Sequence, residues 1–208
     1  MALRCWLIAS VVLVMSGCMS APPAPAPDDS VTTEIPDDWS SRRKALSRFN
    51  QWRLLGKVAV NHQEGNDSAL IREWTQNGKR FFIEMSSAFM GMGTVRLAGS
   101  PDFLKITDSE GQVHSSRKPD QLIRETLGWT LPVEALYFWV RGLPIPDSEY
   151  QLFFHPDGRI AYLRQLGWEL HYDQHQRIGD LPRVPRSLTA TRGHMLRLRL
   201  VMTQWQPL

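Results

Sequence analysis

The chain has 208 residues, enough for one domain that buries most of its apolar surface. Its 24 basic residues barely outnumber 21 acidic ones, and no Lys/Arg block occurs, so the small net charge of +3 gives no nucleic-acid-binding face. Eight tryptophans are many for this length; they read as a generous core or as an apolar surface that must sometimes accept something else.

Met1 to Arg4 carries one positive charge, and Cys5 to Met15 is a nearly unbroken apolar run, CWLIASVVLVM. Ser16 and Gly17 then precede Cys18, which completes the charged, apolar and small-residue regions of a secretory signal over residues 1–17. The apolar run is about half of the roughly 20 residues a membrane-spanning helix needs. The segment resembles a lipobox, with Met15 where Leu is usual. That resemblance implies cleavage before Cys18 and acylation of its thiol. An ordinary signal with an incidental cysteine is the weaker alternative. Cys5 leaves with the signal, so the mature chain keeps Cys18 alone and can form no internal disulfide. After Cys18, the stretch MSAPPAPAPDDSVTTEIP is rich in Pro, Ala and acids without periodicity, so residues 18–36 are expected to be a lipidated cysteine and flexible tether. Met19 is not Asp; by resemblance to enterobacterial lipoproteins this directs the chain to the periplasmic face of the outer membrane.

Residues 37–208 are expected to fold as one domain. DDWSSRRKALSRFN reads as a helix capped by Asp37 or Asp38, with Trp39, Leu46 and Phe49 on one side. Period two follows in WRLLGKVAV and DSALIREWTQ, with GND as the turn between them. Asn77-Gly78 is a hairpin signal before KRFFIEM. GTVRLAG, DFLKITD and GQVHS continue the meander, whose local pairing must be antiparallel. Pro119 opens a helix ended by Gly128, and Pro132 opens a second in which Val133, Leu136, Tyr137 and Val140 keep helical spacing. EYQLFFH, GRIAYLRQ, GWELHYD, PRSLTATR and HMLRLRLVMTQW return to strands. The fold class is therefore mainly β with helices (α+β): about ten or eleven antiparallel strands, with some three helices over the apolar face. So long a sheet must curl, and few helices leave it hollow.

Several segments then carry a family resemblance. They are Trp74-Thr75-Gln76, Phe89-Met90-Gly91, Gly128 to Val133, Tyr137 to Pro144, Gln165 to Trp168, Leu181-Pro182, and Leu198 to Val201 with Trp205. In this order they resemble the outer-membrane lipoprotein receptor family LolB over essentially the whole mature domain. The resemblance implies an incomplete antiparallel β-barrel with a helical lid over an apolar cavity. It implies a monomer that accepts acylated lipoprotein cargo from a soluble periplasmic carrier of the LolA kind and inserts it into outer-membrane phospholipid, with no cofactor and no ATP. It also implies a membrane-insertion loop at Phe89, Met90 and Gly91, with Met90 where the family has an exposed Leu and Phe89 where Pro is common. A turn between strands should be polar, and this one is not.

Strand alternation supplies the cavity candidates: Trp74, Ile83, Val95, Leu97, Leu104 and Ile106 in the first half, and Leu152, Phe154, Trp168, Leu170, Leu198 and Leu200 in the second. Trp139 and Tyr137 on the second middle helix would line the lid. Each could equally be ordinary core.

No Gly-x-Ser-x-Gly elbow or paired catalytic motif occurs, so an anchored hydrolase is disfavoured and no catalytic residue is assigned. His171 and His175, with Asp173 between them, read as a solvated polar face rather than a metal site. An anchored acyl-chain-binding sensor of similar fold is the main alternative, and a purely structural lipoprotein the third.

Overall fold

The computed structural model describes residues 31–86, 93–128, 130 and 132–208. Helix α1 (Trp39–Arg48) leads into six strands: β1 (Gln51–His62), β2 (Gly65–Asn77), β3 (Arg80–Ser86), β4 (Thr94–Ser100), β5 (Phe103–Thr107) and β6 (Val113–Ser116). Helices α2 (Pro119–Leu127) and α3 (Val133–Trp139) follow. Five more strands complete the chain: β7 (Tyr150–Phe154), β8 (Ile160–Gln165), β9 (Trp168–Gln176), β10 (Val184–Arg192) and β11 (Leu196–Pro207). They form one 11-stranded antiparallel sheet in the order β6-β5-β4-β3-β2-β1-β11-β10-β9-β8-β7. Two local meanders are thus joined by the non-local pairing of β1 with β11, and β6 and β7 remain as the two edges of an open barrel.

The curl has a local cause. The β1–β11 register slips between Leu55 and Gly56, and the β1–β2 register slips beside it. A bulge bends a strand and increases its twist. Gly56 allows it: a Cβ there would lie 2.4 Å from the Val201 carbonyl oxygen. Gly56→Ala should therefore cost about 1–3 kcal/mol, through overpacking against backbone that cannot retreat cheaply. A urea midpoint within error of the parent would contradict this.

Three local expectations are corrected. The first hairpin turns at Gln63-Glu64, because His62 already pairs with Gly65 and its ring meets Asp67 at 2.9 Å; the GND segment lies within β2. Asp38 makes no side-chain cap on α1; its carboxylate engages Arg42 at 3.0 Å, one turn along. Ordered pairing begins before residue 37: Thr32 exchanges backbone hydrogen bonds of 2.9 and 2.8 Å with Phe154 on edge strand β7.

Alternation is clean in β1, where Trp52, Leu54, Val58 and Val60 face the core. An aromatic chain runs along one end of the sheet: Phe49 to Trp205 at 5.8 Å, Trp205 to Trp52 at 4.8 Å, and Trp52 to Trp74 at 5.3 Å. Edge-on and tilted rings of this kind favour one another beyond their buried area. α1 covers the β7 side, where Trp39 meets Phe154 at 5.2 Å. α2 buries Leu122 and Ile123 over β5 and β6, and Gly128 ends it at φ 77.

Arg141, just past α3, is 1% exposed. Its guanidinium donates to the Leu46 and Phe49 carbonyls at 2.9 Å and to the Tyr137 carbonyl at 3.0 Å, and lies 3.9 Å from the centre of the Tyr137 ring. Burial lowers its pKa below the ordinary guanidinium value, and the neighbouring Tyr137 opposes that shift. The free carbonyls at the ends of two helices are thus satisfied by one side chain.

Candidate functional site

The concave face of the first half-sheet does not fill completely. Val58 and Val60 of β1, Ile71 and Trp74 of β2, Phe81, Ile83 and Met85 of β3, Leu97 of β4, and Leu198 and Leu200 of β11 form the walls of a hollow of about 80 Å³. Ile123 of α2 and Val133 and Leu136 of α3 roof it. Every lining residue is apolar, so no polar group fixes a ligand's orientation inside. A second hollow of about 60 Å³ adjoins it, sharing Trp74, Phe81, Ile83, Val133 and Leu136, and opens towards Gln76, Lys79, Pro101 and Glu134. Each has room for only a few waters, far less than a long acyl chain needs.

A larger depression of about 1170 Å³ lies elsewhere. Registered neighbours Asn61, Arg197, Thr191, Glu169, Arg164 and Gln151 cross its floor on the face opposite the buried Leu198, Leu170, Leu163 and Leu152. It is open, and Arg164 and Glu169 pair across it at 2.9 Å.

Of the cavity candidates, Trp74, Ile83, Leu97, Leu198 and Leu200 come together around the hollow. Val95, Leu104 and Ile106 are buried on β4 and β5 as core. Trp139, Leu152, Phe154, Trp168 and Leu170 are core as well and line neither apolar hollow. The reason is filling: α1 places Trp39 on Phe154, and Trp139 packs on Trp168 at 5.9 Å with its Nε1 donating to Gln165 Oε1. Tyr137 does reach the second hollow. Alternation alone missed Val58, Val60, Ile71, Phe81 and Met85, and the roof residues Ile123, Val133 and Leu136. Val58 and Val60 sit opposite Leu200 and Leu198, a pairing that only the β1–β11 join reveals. Cys18 and the Phe89-Met90-Gly91 loop lie outside the described residues.

The histidines separate. His171 Nδ1 meets Asp173 Oδ1 at 3.0 Å, and its ring stacks on Tyr162 at 4.6 Å. Burial lowers the His171 pKa, partly opposed by Asp173. Both ring nitrogens of His175 are buried without a hydrogen-bond partner, and its pKa is pushed down to about 4, first by burial and then by Arg159, His155 and Arg183, against Asp157. Among the described residues no group of three potential ligands could hold a metal, and no helix is long and apolar enough to cross a membrane.

The fold and the site together are an open antiparallel half-barrel roofed by two helices over a wholly apolar hollow. Comparison with known proteins goes further. The family model for outer membrane lipoprotein LolB matches residues 50–205. The outer-membrane lipoprotein LolB of Marinobacter nauticus is 40% identical over 200 residues, covering 96% of this chain and 95% of that protein. That of Chromohalobacter salexigens is 37% identical, covering 98% and 90%, and that of Pseudomonas aeruginosa is 31% identical, covering 100% and 98%. The chain belongs to the LolB family of outer-membrane lipoproteins and is a lipoprotein-localisation factor.

Proposed function

We propose that the protein receives acylated lipoproteins from a soluble periplasmic carrier into the hollow beneath α2 and α3 and passes them to outer-membrane phospholipid without nucleotide. The observation that carries this reading is the unbroken apolar lining beneath a roof of two short helices. An acyl chain loses about 0.8 kcal/mol per methylene on exposure to water, so a multiply acylated cargo must be covered at every step. Transfer then needs only a downhill order from carrier to receptor to bilayer, with about 1.4 kcal/mol for each tenfold preference. Mixing the protein with a carrier–lipoprotein complex in the absence of nucleotide should move cargo onto it. Cargo that stays on a competent carrier while this domain is folded would overturn the reading and favour a sensor role.

The anchor and the loop belong to the same reading. Acylated Cys18 holds the protein at the outer membrane as a monomer, and the Phe89-Met90-Gly91 tip touches the bilayer during release. Burying two such side chains contributes roughly 1.5–3 kcal/mol each, a brief contact rather than an anchor. Met90→Glu should leave acceptance from the carrier intact and slow delivery to liposomes by about tenfold or more, because a carboxylate resists the apolar phase. Delivery at the parental rate would remove the loop from the mechanism.

A further inference from the structure

The net charge of +3 is small, but its placement is uneven. On the face of the sheet turned away from the core, Lys57 of β1, Arg72 of β2 and Arg199 of β11 are exposed and have no carboxylate partner among the described residues. Their strands are neighbours in the order β2-β1-β11, so the three charges fall within about 10 Å across the strands. Strands β1, β10 and β11 contain no acidic residue. The acids of β2 and β3 are already engaged: Asp67 by His62 at 2.9 Å, Glu73 by Arg53 at 3.0 Å and Glu84 by Arg96 at 2.7 Å. Arg72 meets a neutral acceptor instead, donating from Nε to Ser86 Oγ at 2.6 Å. Leu70, 48% exposed, stands among the three cations, with Lys57 opposite it on one side and Ser86 on the other.

Like charges this close repel one another and oppose folding, so an anionic partner relieves the arrangement. The patch is not a pocket: none of its four residues lines either hollow or the depression described above. It suits an extended anionic plane rather than an enclosed ion, and arginine forks match phosphodiester oxygens. Leu70 supplies the apolar contact that, together with cations, holds proteins at a bilayer interface. In an outer-membrane lipoprotein that plane is at hand. Ser86, at the edge of the patch, is also the last residue of β3 before the proposed tip. We propose that Lys57, Arg72 and Arg199, around Leu70, form a docking surface for the anionic phospholipid headgroups of the bilayer, so that the outer face of β2, β1 and β11 lies against the membrane that receives the cargo. This rests on the delivery reading above and adds how the domain lies during release. Each cation held near an anionic membrane strengthens binding about fivefold, so the three together contribute about a hundredfold.

The test needs no cargo. Ala59→Cys, exposed opposite Arg199, is introduced into the full-length lipidated protein, labelled with an environment-sensitive dye and anchored in vesicles. Vesicles of phosphatidylcholine are compared with vesicles that also contain phosphatidylglycerol. With phosphatidylglycerol the dye emission should shift to the blue, and headgroup-quencher lipids should quench it about tenfold more strongly than without. Salt at about 1 M, which shortens the screening length to about 3 Å, should reverse both effects. The triple variant Lys57→Gln, Arg72→Gln, Arg199→Gln should lose the response, and the charge-conserving triple Lys57→Arg, Arg72→Lys, Arg199→Lys should keep it. A dye on Gln121→Cys, exposed on α2, should not respond. Equal signals in the two kinds of vesicle, survival of the response in the glutamine variant, or its loss in the charge-conserving one overturns the patch and leaves the acceptor reading intact. A glutamine variant that docks normally but loads slowly from the carrier overturns it as well, and assigns the charges to an acidic protein. Docking as expected, with no cargo ever delivered, supports the patch and overturns the delivery reading instead.

Discussion

Arg141→Met should lower the unfolding free energy by about 3 kcal/mol or more, because three helix-end carbonyls lose their donor and each buried acceptor left alone costs about 1–3 kcal/mol. Removing a buried charge recovers part of this, since the desolvation that lowers the Arg141 pKa disappears with it. The loss is still a large share of the roughly 5–15 kcal/mol that holds a domain together. In a chain of this size it corresponds to a melting temperature lower by about 6–12 °C. Arg141→Lys should fall between parent and Met. Thermal and urea unfolding of the three proteins would check the order; a Met variant within about 1 kcal/mol of the parent would mean that these carbonyls find other partners.

Acid should weaken the fold through His175. Its folded pKa of about 4 lies below the ordinary 6.5, so the folded state favours the neutral ring. Between those values the unfolded chain binds the extra proton, and stability therefore rises with pH. The contribution is complete above about pH 6.5 and is lost as pH falls towards about 4, a span of about 3 kcal/mol. The groups facing the ring reinforce this: His155, Arg159 and Arg183 oppose a new positive charge, and Asp157 alone among them favours it. His175→Phe should flatten the dependence of the urea midpoint between about pH 7 and about pH 4.5. An unchanged slope in that variant would assign the acid sensitivity to other groups.

Both side chains show where sequence reading succeeds and where it stops. Arg141 is plain in the sequence as one letter of the run Tyr137 to Pro144, but its partners Leu46 and Phe49 lie far back on α1. No periodicity connects them. The strands themselves were legible because their alternation is local: Trp52, Leu54, Val58 and Val60 announce a one-sided strand, and Gly78 announces the hairpin after β2, although Asn77 pairs with Arg80 and the turn falls one residue later, at Gly78-Lys79. The open barrel followed from the strand count and the family resemblance. Which half of it is hollow was not legible. Trp74 and Trp168 alternate equally well, yet Trp168 is filled against by Trp139 and Trp74 is left beside empty space. That difference depends on where α1 and α3 come to rest, which is a property of packing across the sheet rather than of any one segment. The misplaced GND turn has a similar origin: the His62–Asp67 contact, set by the β1–β2 register, moves the bend two residues earlier than composition suggests.

The bridge from Thr32 to Phe154 sets the geometry of the leash. Phe154 lies at the end of the sheet that also carries the Asn77–Arg80 turn and the Lys79 rim of the hollow, whereas Ser86 and Thr94, which bracket the apolar tip, lie at the opposite end. A twelve-residue strand such as β1 is about 40 Å long. The chain from Cys18 to Thr32 can span at most about 46–50 Å when fully drawn out. Under the proposed anchor at Cys18, that length is just enough for the domain to turn either pole towards the bilayer, the pole with the Lys79 rim or the pole with the proposed tip. Under the same proposal, a leash half as long would tie the molecule rim-down.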